Sequence, residues 1–350
     1  MYMNELTNEQ EIIRRAILDD LDSRPIITVG GYAGTDCLVC APTGKAAHVL
    51  KSKGVSNVQT LHSALYRLVD MTTKSLVQQR YDGAMIEQSI IESMSWAWKG
   101  TGSSVLLIDE GSMIPAYMFQ DIIEAGLQCV VFGDHGQLPP VKQTASGLME
   151  SPDYCLETLH RNAGPIAHFC EHLRKGGSPT DWKQSESVRF AKGNLDLYCS
   201  VDQVICARNK TRQEINRAMR SQRGFPAGVP VVEGERLISL MNNKHQGLWN
   251  GSQVVVEDII KGNKLLVRND GAQLKVKYIP DLIGLEKQGE YDKRKGHPFD
   301  WAYAITAHKA QGSEWDSVAV VDEALQGCGR SRWRYTAASR AKNLLYWIGI

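Results

Sequence analysis

Residues 25–35 read PIITVGGYAGT, an apolar and β-branched run followed by a glycine-rich turn. The run predicts a buried strand, and a strand that enters such a turn is how a phosphate-binding loop begins. A complete loop continues with Gly-Lys-Ser/Thr at the start of a helix, where the lysine reaches the phosphates and the hydroxyl holds Mg²⁺. Here Thr35 is followed directly by DCLVC, residues 36–40, which is another apolar run. The sequence therefore begins a nucleotide-binding loop and does not complete it.

The composition is that of a globular chain with room for two domains. It has 350 residues, of which 43% are hydrophobic and 23% are charged, and a net charge of +1. Because the net charge is so small, a nucleic-acid site would have to be a local groove on a balanced surface. No apolar stretch approaches the roughly 20 residues of a membrane span, and residues 1–21 are too charged for a signal peptide. Eight cysteines scattered through apolar segments favour reduced thiols, so we expect a cytoplasmic location, or the host cytoplasm if the chain is phage-encoded.

Two patterns could bind metal, and both are better explained as structural. Cys37 and Cys40 form a CxxC pair without the second pair that a zinc site needs. His168 and His172 flank Glu171 at helical spacing, but the order is not His-Glu-x-x-His. A solvated helix face is the favoured interpretation of these histidines.

Apolar runs alternate with helical patterns through the first half of the chain. The runs lie at residues 25–30, 37–41, 104–109 and 128–133. Buried strands that alternate with helices predict a doubly wound, mostly parallel α/β domain. Residues 65–98 are mixed and polar, which indicates an excursion from the sheet.

The sequence pattern of the second half of the chain changes between residues 228 and 298. Short β-rich pieces are separated there by Asn250-Gly251, Gly262-Asn263 and Asp270-Gly271. These dipeptides are typical of tight turns, so we expect a small β-barrel or meander. Strand-like runs return at residues 317–321 and 344–348.

Two predicted strands end in polar residues suited to phosphate chemistry. Residues 105–108 run into Asp109 and Glu110, where the first carboxylate can hold Mg²⁺ through water and the second can orient or deprotonate the attacking water. Residues 130–133 run into Asp134 and then Gln137, which suits a sensor beside a γ-phosphate. A buried strand that merely ends in an acid, and a turn ended by proline, are the alternatives for these two segments.

Residues 41–47 read APTGKAA and follow the second predicted strand. Gly44-Lys45 is not the missing lysine loop, because Val39 stands where its first glycine belongs and Ala46 where its hydroxyl belongs. A strand, a tight turn and a helix start carrying Thr43 and Lys45 better suit a phosphate of a nucleic-acid backbone.

A series of motifs in this order resembles the superfamily 1 DNA helicases of the RecD-like type, and the similarity spans nearly the whole chain. The motifs are GYAGT at residues 31–35, APTGKAA at 41–47, TLH at 60–62, IDEGSM at 108–113, GDHGQLPP at 133–140, LHRNAGPI at 159–166, AITAHKAQGSE at 304–314 and RYTAASRAK at 334–342.

The resemblance implies an α/β fold of two RecA-like (P-loop NTPase) domains with parallel sheets, with ATP in the cleft between them and single-stranded DNA across their top. The first domain would cover residues 1–155, with the strand-splitting pin of the family at about 65–98. The second would cover residues 156–350, with an SH3-like β insertion at about 228–298. The implied activity is ATP-dependent movement 5′ to 3′ on single-stranded DNA, acting at duplex junctions. Replication or recombination proteins are possible partners, and a monomer away from the membrane is expected.

The resemblance also assigns roles to individual residues. Gln10 would read the adenine, Asp109 would serve Mg²⁺, and Glu110 would act on the attacking water. Catalytic roles would further fall to Gln137 and to the arginine fingers Arg161 and Arg340. Nucleotide contacts would come from Gly31, Ala33, Gly34, Thr35, Gly312 and Glu314. The DNA track would be lined by Pro42, Thr43, Lys45, Thr60, His62, Thr306, His308 and Lys309.

The chain departs from the family between Thr35 and Asp36, where about a helix's worth of sequence is absent. Parallel strands need a crossover of about a dozen residues or more, so either the first or the second strand is displaced or the sequence lacks a segment that its parent had. Three hypotheses follow. The chain is an active helicase whose loop is missing from the sequence, or an ATPase-deficient relative acting at most as a single-stranded DNA-binding module, or a structural protein with neither activity.

Overall fold

The computed structural model describes residues 8–20, 26–30, 38–79, 85–101, 105–140, 144–155, 164–285, 295–323 and 329–349. Two compact units divide the chain. The first comprises Met1–Arg67 with Ala97–Arg161, and the second Leu68–Trp96 with Asn162–Ile350. Within the described ranges, no helix is both long enough and apolar enough to cross a membrane.

The first unit is built on a parallel sheet with helices on both faces. Its elements are α1 Asn8–Asp20, β1 Ile26–Gly30, β2 Leu38–Ala41, α2 Gly44–Ser52, β3 Val58–Thr60, α3 Leu61–Leu65, β6 Val105–Ile108, α4 Ala116–Glu124, β7 Gln128–Phe132 and β8 Tyr154–Cys155. Two further strands, β4 Tyr66–Gln79 and β5 Met85–Trp98, respectively begin and end in this unit, while their other residues belong to the second. The described strands of the sheet lie in the order β3-β2-β6-β7-β1-β8, and each neighbouring pair is parallel. The doubly wound parallel domain predicted from the alternating runs is confirmed.

Alternate residues of the central strands fill two separate cores. Cys40 and Ile108 pack on one face with α3 and α4, whereas Val39 and Leu107 pack on the other with α1 and α2. Successive side chains of a strand point to opposite faces, and here both faces are covered. This explains why the strands read as continuous apolar runs rather than as an alternating pattern.

The short connection after β1 does not displace either strand. The register places Ile26, Cys129, Leu106 and Leu38 at one level across β1, β7, β6 and β2. Gly30 therefore lies about 13 Å further along its strand than Leu38 and about 14 Å to the side, a separation of about 20 Å. Eight extended Cα steps reach about 26–29 Å. Seven residues stand between Gly30 and Leu38, so both strands can keep their places in the sheet.

The excursion at residues 65–98 is a β-ribbon. β4 and β5 pair as a two-stranded sheet, each strand having 14 residues. Five residues join the two strands, which is too short for a parallel crossover, so the ribbon is antiparallel. The backbone N–H of Lys99 donates to the carbonyl of Leu65 (2.9 Å) and closes the base of the ribbon.

The second unit contains another parallel sheet. Its elements are α5 Pro165–Arg174, β9 Val188–Ala191, α6 Leu195–Ser200, β10 Gln203–Cys206, α7 Asn209–Gln222, β11 Arg236–Ser239, β12 Gln253–Ile260, β13 Lys264–Asn269, β14 Ala272–Lys277, β15 Phe299–Trp301, β16 Ala304–Thr306, α8 Ala307–Ala310, β17 Trp315–Val321, α9 Gly329–Ala338 and β18 Ala341–Ile348. The parallel strands lie in the order β16-β10-β17-β18-β9.

An antiparallel sheet in the order β14-β13-β12-β11-β15 occupies the predicted β-rich insertion. Asp270 and Gly271 both have positive φ (45° and 83°) and form the two-residue turn between β13 and β14. This is the turn that the Asp-Gly dipeptide predicts. The meander is therefore confirmed, while closure into an SH3-like barrel stays a prediction.

Helix α7 ties the two sheets of the second unit together. Arg212 forms a buried ion pair with Asp300, whose carboxylate also accepts from Gln213 (2.8 Å). Asn216 exchanges two hydrogen bonds with the backbone of Ala304, at 2.8 and 3.0 Å. Pairing of this kind offsets the cost of burying polar groups. The helix thus fixes the start of β16 and the end of the antiparallel sheet to one core.

Candidate nucleotide and nucleic-acid site

Five strands of the first unit end side by side at one edge of the sheet, in the order β3, β2, β6, β7, β1. Thr60 is the last residue of β3, and Pro42 follows β2. Asp109 follows β6, Gly133 follows β7, and Gly30 ends β1. The segments expected to serve metal, γ-phosphate and DNA backbone are therefore neighbours along one carboxyl edge, where ligands of such sheets bind.

The turn after β6 holds Glu110 in a strained backbone conformation. The N–H of Asp109 donates to the carbonyl of Cys40 (2.9 Å), which extends the pairing of β6 with β2 by one residue. The Asp109 carboxylate then accepts the N–H of Glu110 (2.9 Å). Glu110 has φ 58° and ψ 42°, a left-handed conformation that costs a residue other than glycine about 1–2 kcal/mol. Strain of this kind concentrates at functional sites.

Two glycines let the loops after β6 and β7 approach each other closely. A Cβ atom on Gly133 would lie 2.9 Å from the backbone nitrogen of Gly111 and 3.1 Å from that of Ser112. A Cβ atom on Gly111 would lie 2.4 Å from a methyl group of Val131. Any larger side chain at either position would push apart the turn that carries Glu110 and the loop that carries Gln137.

Two buried polar atoms in these loops lack a partner. The loop after β7 is fixed by Asp134, which accepts the backbone N–H groups of Gly136 (2.8 Å) and Gln137 (3.1 Å). Within the part of the chain that the structure describes, Gln137 Oε1 and Ser112 Oγ are buried without a hydrogen-bond partner. Burial of an unsatisfied polar atom costs about 1–3 kcal/mol. The pair therefore fits a site that a polar ligand completes.

Metal binding at this edge rests on the carboxylates alone. No group of three or more His, Cys, Asp or Glu side chains is assembled for a metal among the described residues. Burial raises the pKa of the Cys40 thiol to about 12, which favours the neutral thiol. The imidazole of His172 instead contacts the carbonyl of Ser178 (2.8 Å). Mg²⁺ at Asp109 would thus be held largely by water and phosphate oxygens, which is its usual preference.

The expected DNA-contacting threonines of the first unit both cap helices. Thr43 Oγ1 accepts the N–H of Ala46 (3.2 Å) at the start of α2. Thr60 Oγ1 accepts the N–H of Ser63 (3.2 Å) at the start of α3, and Thr60 is only 7% exposed. A DNA contact through the Thr60 side chain would need that cap to open. Contacts from Pro42, Thr43 and Lys45 stay predictions.

His62 is the second residue of α3, and its ring centroid lies 5.0 Å from that of Tyr66. Burial lowers the pKa of its imidazole, so the neutral form is favoured at neutral pH. A neutral ring can stack or donate one hydrogen bond, but it adds no positive charge to the DNA track.

The second unit places its expected DNA residues on α8. Thr306 precedes the helix, and burial lowers the pKa of His308. The ammonium of Lys309 donates to Asn250 Oδ1 (2.7 Å), and its pKa is lowered to about 8, chiefly by burial and then by the charge of Arg212. This lysine is therefore partly neutral just above physiological pH.

Arg340 is packed against its own unit. It is 7% exposed, and its guanidinium donates to the carbonyl of Thr336 (3.0 Å) and to Ser339 Oγ (2.8 Å). Glu314 is exposed, and Gly312 has φ 72°. The roles expected of these three residues at the nucleotide stay predictions.

Several expected site residues lie outside the described residues. These are Gly31, Ala33, Gly34, Thr35 and Arg161. Gln10 lies on the described backbone of α1.

The structure adds residues that sequence patterns did not identify. The burial of the Ser112 hydroxyl and the close approach of Gly133 to residues 111–112 arise because two loops that are distant in sequence meet in the fold. Glu323 follows β17 and accepts the N–H groups of Ala207 (2.6 Å) and Arg208 (2.8 Å) and the hydroxyl of Thr211 (2.5 Å) at the start of α7. Its carboxylate thereby caps a helix more than 100 residues earlier in the sequence, a pairing that no local spacing reveals.

Two sequence families match the chain. They are the AAA domain, over residues 25–192, and the UvrD-like helicase C-terminal domain, over residues 301–348. The ATP-dependent RecD2 DNA helicase of Deinococcus radiodurans is 23% identical over 349 residues, covering 90% of this chain and 43% of that protein. The ATP-dependent DNA helicase PIF1 of Danio rerio is 25% identical over 308 residues, covering 70% and 46%. The chain thus spans under half the length of either relative.

The fold is that of a solved relative. Pif1 helicase from Bacteroides, in complex with ADP-AlF3 and ssDNA, matches with a TM-score of 0.61 at 20% identity, over 99% of this chain and 93% of that chain. The two parallel sheets are accordingly those of two RecA-like domains. The fold, the two family matches and the ordered motifs agree in making this chain similar to the RecD and Pif1 helicases.

Proposed function

We propose that the chain is an ATP-dependent DNA helicase or translocase that moves 5′ to 3′ on single-stranded DNA. The observation that carries the proposal is the pair of buried, unsatisfied atoms on Gln137 and Ser112, beside a strained Glu110. Each feature costs stability in the protein alone. A water molecule that donates to Gln137 Oε1, and a phosphate oxygen that accepts from the Ser112 hydroxyl, would offset that cost.

Hydrolysis follows from the roles that these side chains can take. ATP bound with Mg²⁺ supplies the γ-phosphoryl group that is transferred to water. Asp109 would hold the metal through water, and a carboxylate oxygen of Glu110 would accept the proton of the attacking water. The side-chain amide of Gln137 contacts the γ-phosphate end of the site. The close approach of Gly111 and Gly133 keeps these groups in one arrangement.

Movement requires that the grip of one domain on DNA changes relative to that of the other. In the first unit, Thr43, Lys45 and His62 supply the proposed grip. In the second, Thr306, His308 and Lys309 supply it. Arg161 and Arg340 are proposed as the arginine fingers, with Gln10 at the adenine, Glu314 near the ribose and Gly312 among the nucleotide contacts. We further propose that the protein acts at duplex junctions, as a monomer and in the cytoplasm.

A second candidate function is a single-stranded DNA-binding module without ATP hydrolysis. The sequence itself favours it, because no Gly-Lys-Ser/Thr stands between Thr35 and Leu38. Such a module would keep salt-dependent affinity for oligonucleotides but would show no turnover.

DNA-stimulated ATP hydrolysis by this chain separates the two functions. We expect single-stranded DNA to stimulate hydrolysis and Glu110→Gln to reduce the rate at least about 100-fold, the scale of a lost general base. Glu124→Gln is the matched control, because Glu124 is exposed and bonded only to Gln120 on the same helix (3.0 Å). Oligonucleotide binding without hydrolysis in the unsubstituted chain would refute the helicase proposal and support the binding module.

A further inference from the structure

A row of aromatic rings stands at the base of the ribbon. Tyr66 begins β4 and Trp98 ends β5, and their rings meet edge to face with centroids 5.8 Å apart. His62 continues the row on the other side of Tyr66, at 5.0 Å. The row thus joins the ribbon to the carboxyl edge where β3 ends.

The rings are held in place by fixed contacts. The hydroxyl of Tyr66 is hydrogen-bonded to the carboxylate of Asp121 on α4. Burial and that carboxylate raise the pKa of Tyr66, so the phenol remains neutral and donates. His62 is neutral as well, because burial lowers its pKa. The row is therefore preorganised and carries no charge of its own.

The outer end of the row is open to solvent. Trp98 is 38% exposed, and Tyr117, whose hydroxyl is near enough to influence Tyr66, is 48% exposed. Arg67 and Lys99, which are next to Tyr66 and Trp98 in the sequence, are exposed, and the ammonium of Lys99 donates to the carbonyl of Ser63 on α3. If the rings only anchored the ribbon, the large apolar face of Trp98 would gain by being covered, since a buried aromatic ring removes 150–250 Å² from water. An exposed aromatic face beside cations is typical of a binding surface.

We propose that Trp98, supported by Tyr66 and His62, stacks against one unpaired nucleobase of a single strand, while Lys99 contacts the adjoining phosphate. A nucleobase fits better than a protein partner, because the surface is a neutral aromatic row and the exposed Lys99 is bonded next to His62, at Ser63. The row also continues the edge that carries the proposed DNA residues Thr43 and Lys45. The inference rests on the proposed function and adds a base-binding position outside the motifs.

The test compares binding of two fluorescent oligomers of equal length by anisotropy, one of deoxythymidine and one of abasic sites. Trp98→Ala is expected to weaken binding of the deoxythymidine oligomer about 5- to 100-fold, the scale of one lost stacking contact. It should leave the abasic oligomer and the salt dependence unchanged, because the phosphate contacts remain. Trp98→Phe should retain most of the affinity. Val255→Ala removes another exposed apolar side chain (40% exposed), on the inserted sheet, and should change nothing.

Equal affinity of Trp98→Ala and the unsubstituted chain for the deoxythymidine oligomer would overturn the stacking proposal alone. Equal losses on both oligomers would overturn it too, because the effect would then be structural or electrostatic. Failure of the unsubstituted chain to bind either oligomer would overturn both this inference and the proposed function.

Discussion

Substitution of Gly133 tests whether the close approach of two loops positions the catalytic groups. In Gly133→Ala, the new methyl group would lie 2.9 Å from the backbone nitrogen of Gly111, whereas ordinary contacts begin at 3.4 Å. The backbone at residues 111–112 must therefore move by about 0.5 Å, because no flexible side chain can give way. A displacement of up to about 1 Å in a catalytic arrangement costs up to about 100-fold in rate. We expect DNA-stimulated ATP hydrolysis to fall about 10- to 100-fold, with a loss of about 1–3 kcal/mol in the free energy of unfolding.

The measurement is kcat of ATP hydrolysis at saturating single-stranded DNA, together with the affinity for a DNA oligomer. Gly329→Ala is the matched control, because nothing lies within 4 Å of a Cβ atom there and the residue opens α9. That variant should be as active as the unsubstituted chain and as stable or slightly more so. DNA affinity should survive in both variants, since neither glycine lies on the proposed DNA track. A Gly133→Ala enzyme that hydrolyses ATP within twofold of the unsubstituted rate would refute the positioning argument.

Two further predictions concern the second unit. The pKa of Lys309 is lowered to about 8, so its charge is present below that pH and lost as the pH rises through it. DNA affinity should accordingly fall between about pH 7 and 9. Lys309→Arg stays charged and should remove that part of the pH dependence. The same pH profile in the variant and in the unsubstituted chain would refute a DNA role for this lysine. Arg212→Ala should cost about 3–5 kcal/mol in denaturant unfolding, because Asp300 is left buried without its cation. Arg268→Ala breaks an exposed ion pair and should cost under about 1 kcal/mol, and equal losses would contradict the reasoning.

The elements that local chemistry determines could be predicted from the sequence. Continuous apolar runs predicted β2, β6 and β7, because strands covered on both faces leave no polar side to alternate with. The Asp270-Gly271 dipeptide predicted its turn, because both residues must have positive φ. The ribbon was predicted only as an excursion. Leu68 and Val69 are adjacent, point to opposite faces of β4 and are both exposed (48% and 63%). The sequence of β4 therefore lacks, at this point, the alternation of apolar and polar residues that indicates a strand.

The site was predictable as a set of motifs but not as a set of contacts. Asp109, Glu110 and Gln137 could be named because they follow apolar strands, and parallel strands end at a common edge. The burial of Ser112 Oγ without a partner could not be predicted, because it depends on the close approach of two loops at Gly111 and Gly133. Capping by the buried Thr60 is likewise a consequence of the start of α3 rather than of any motif.

The features at the carboxyl edge lower the stability of the protein, and this cost bears on whether the chain has lost the ability to bind ATP. Two buried polar atoms without partners, on Gln137 and Ser112, cost about 1–3 kcal/mol each, and the left-handed Glu110 adds about 1–2. The total is a large fraction of the 5–15 kcal/mol that stabilises an ordinary domain. Buried atoms without a partner also occur elsewhere in the described residues, for instance on Arg212 and Trp347, but at this edge two of them coincide with the strained Glu110. Their joint presence beside the end of β1, where the glycine-rich turn begins, favours the hypothesis of an active nucleotide site over that of a DNA-binding remnant.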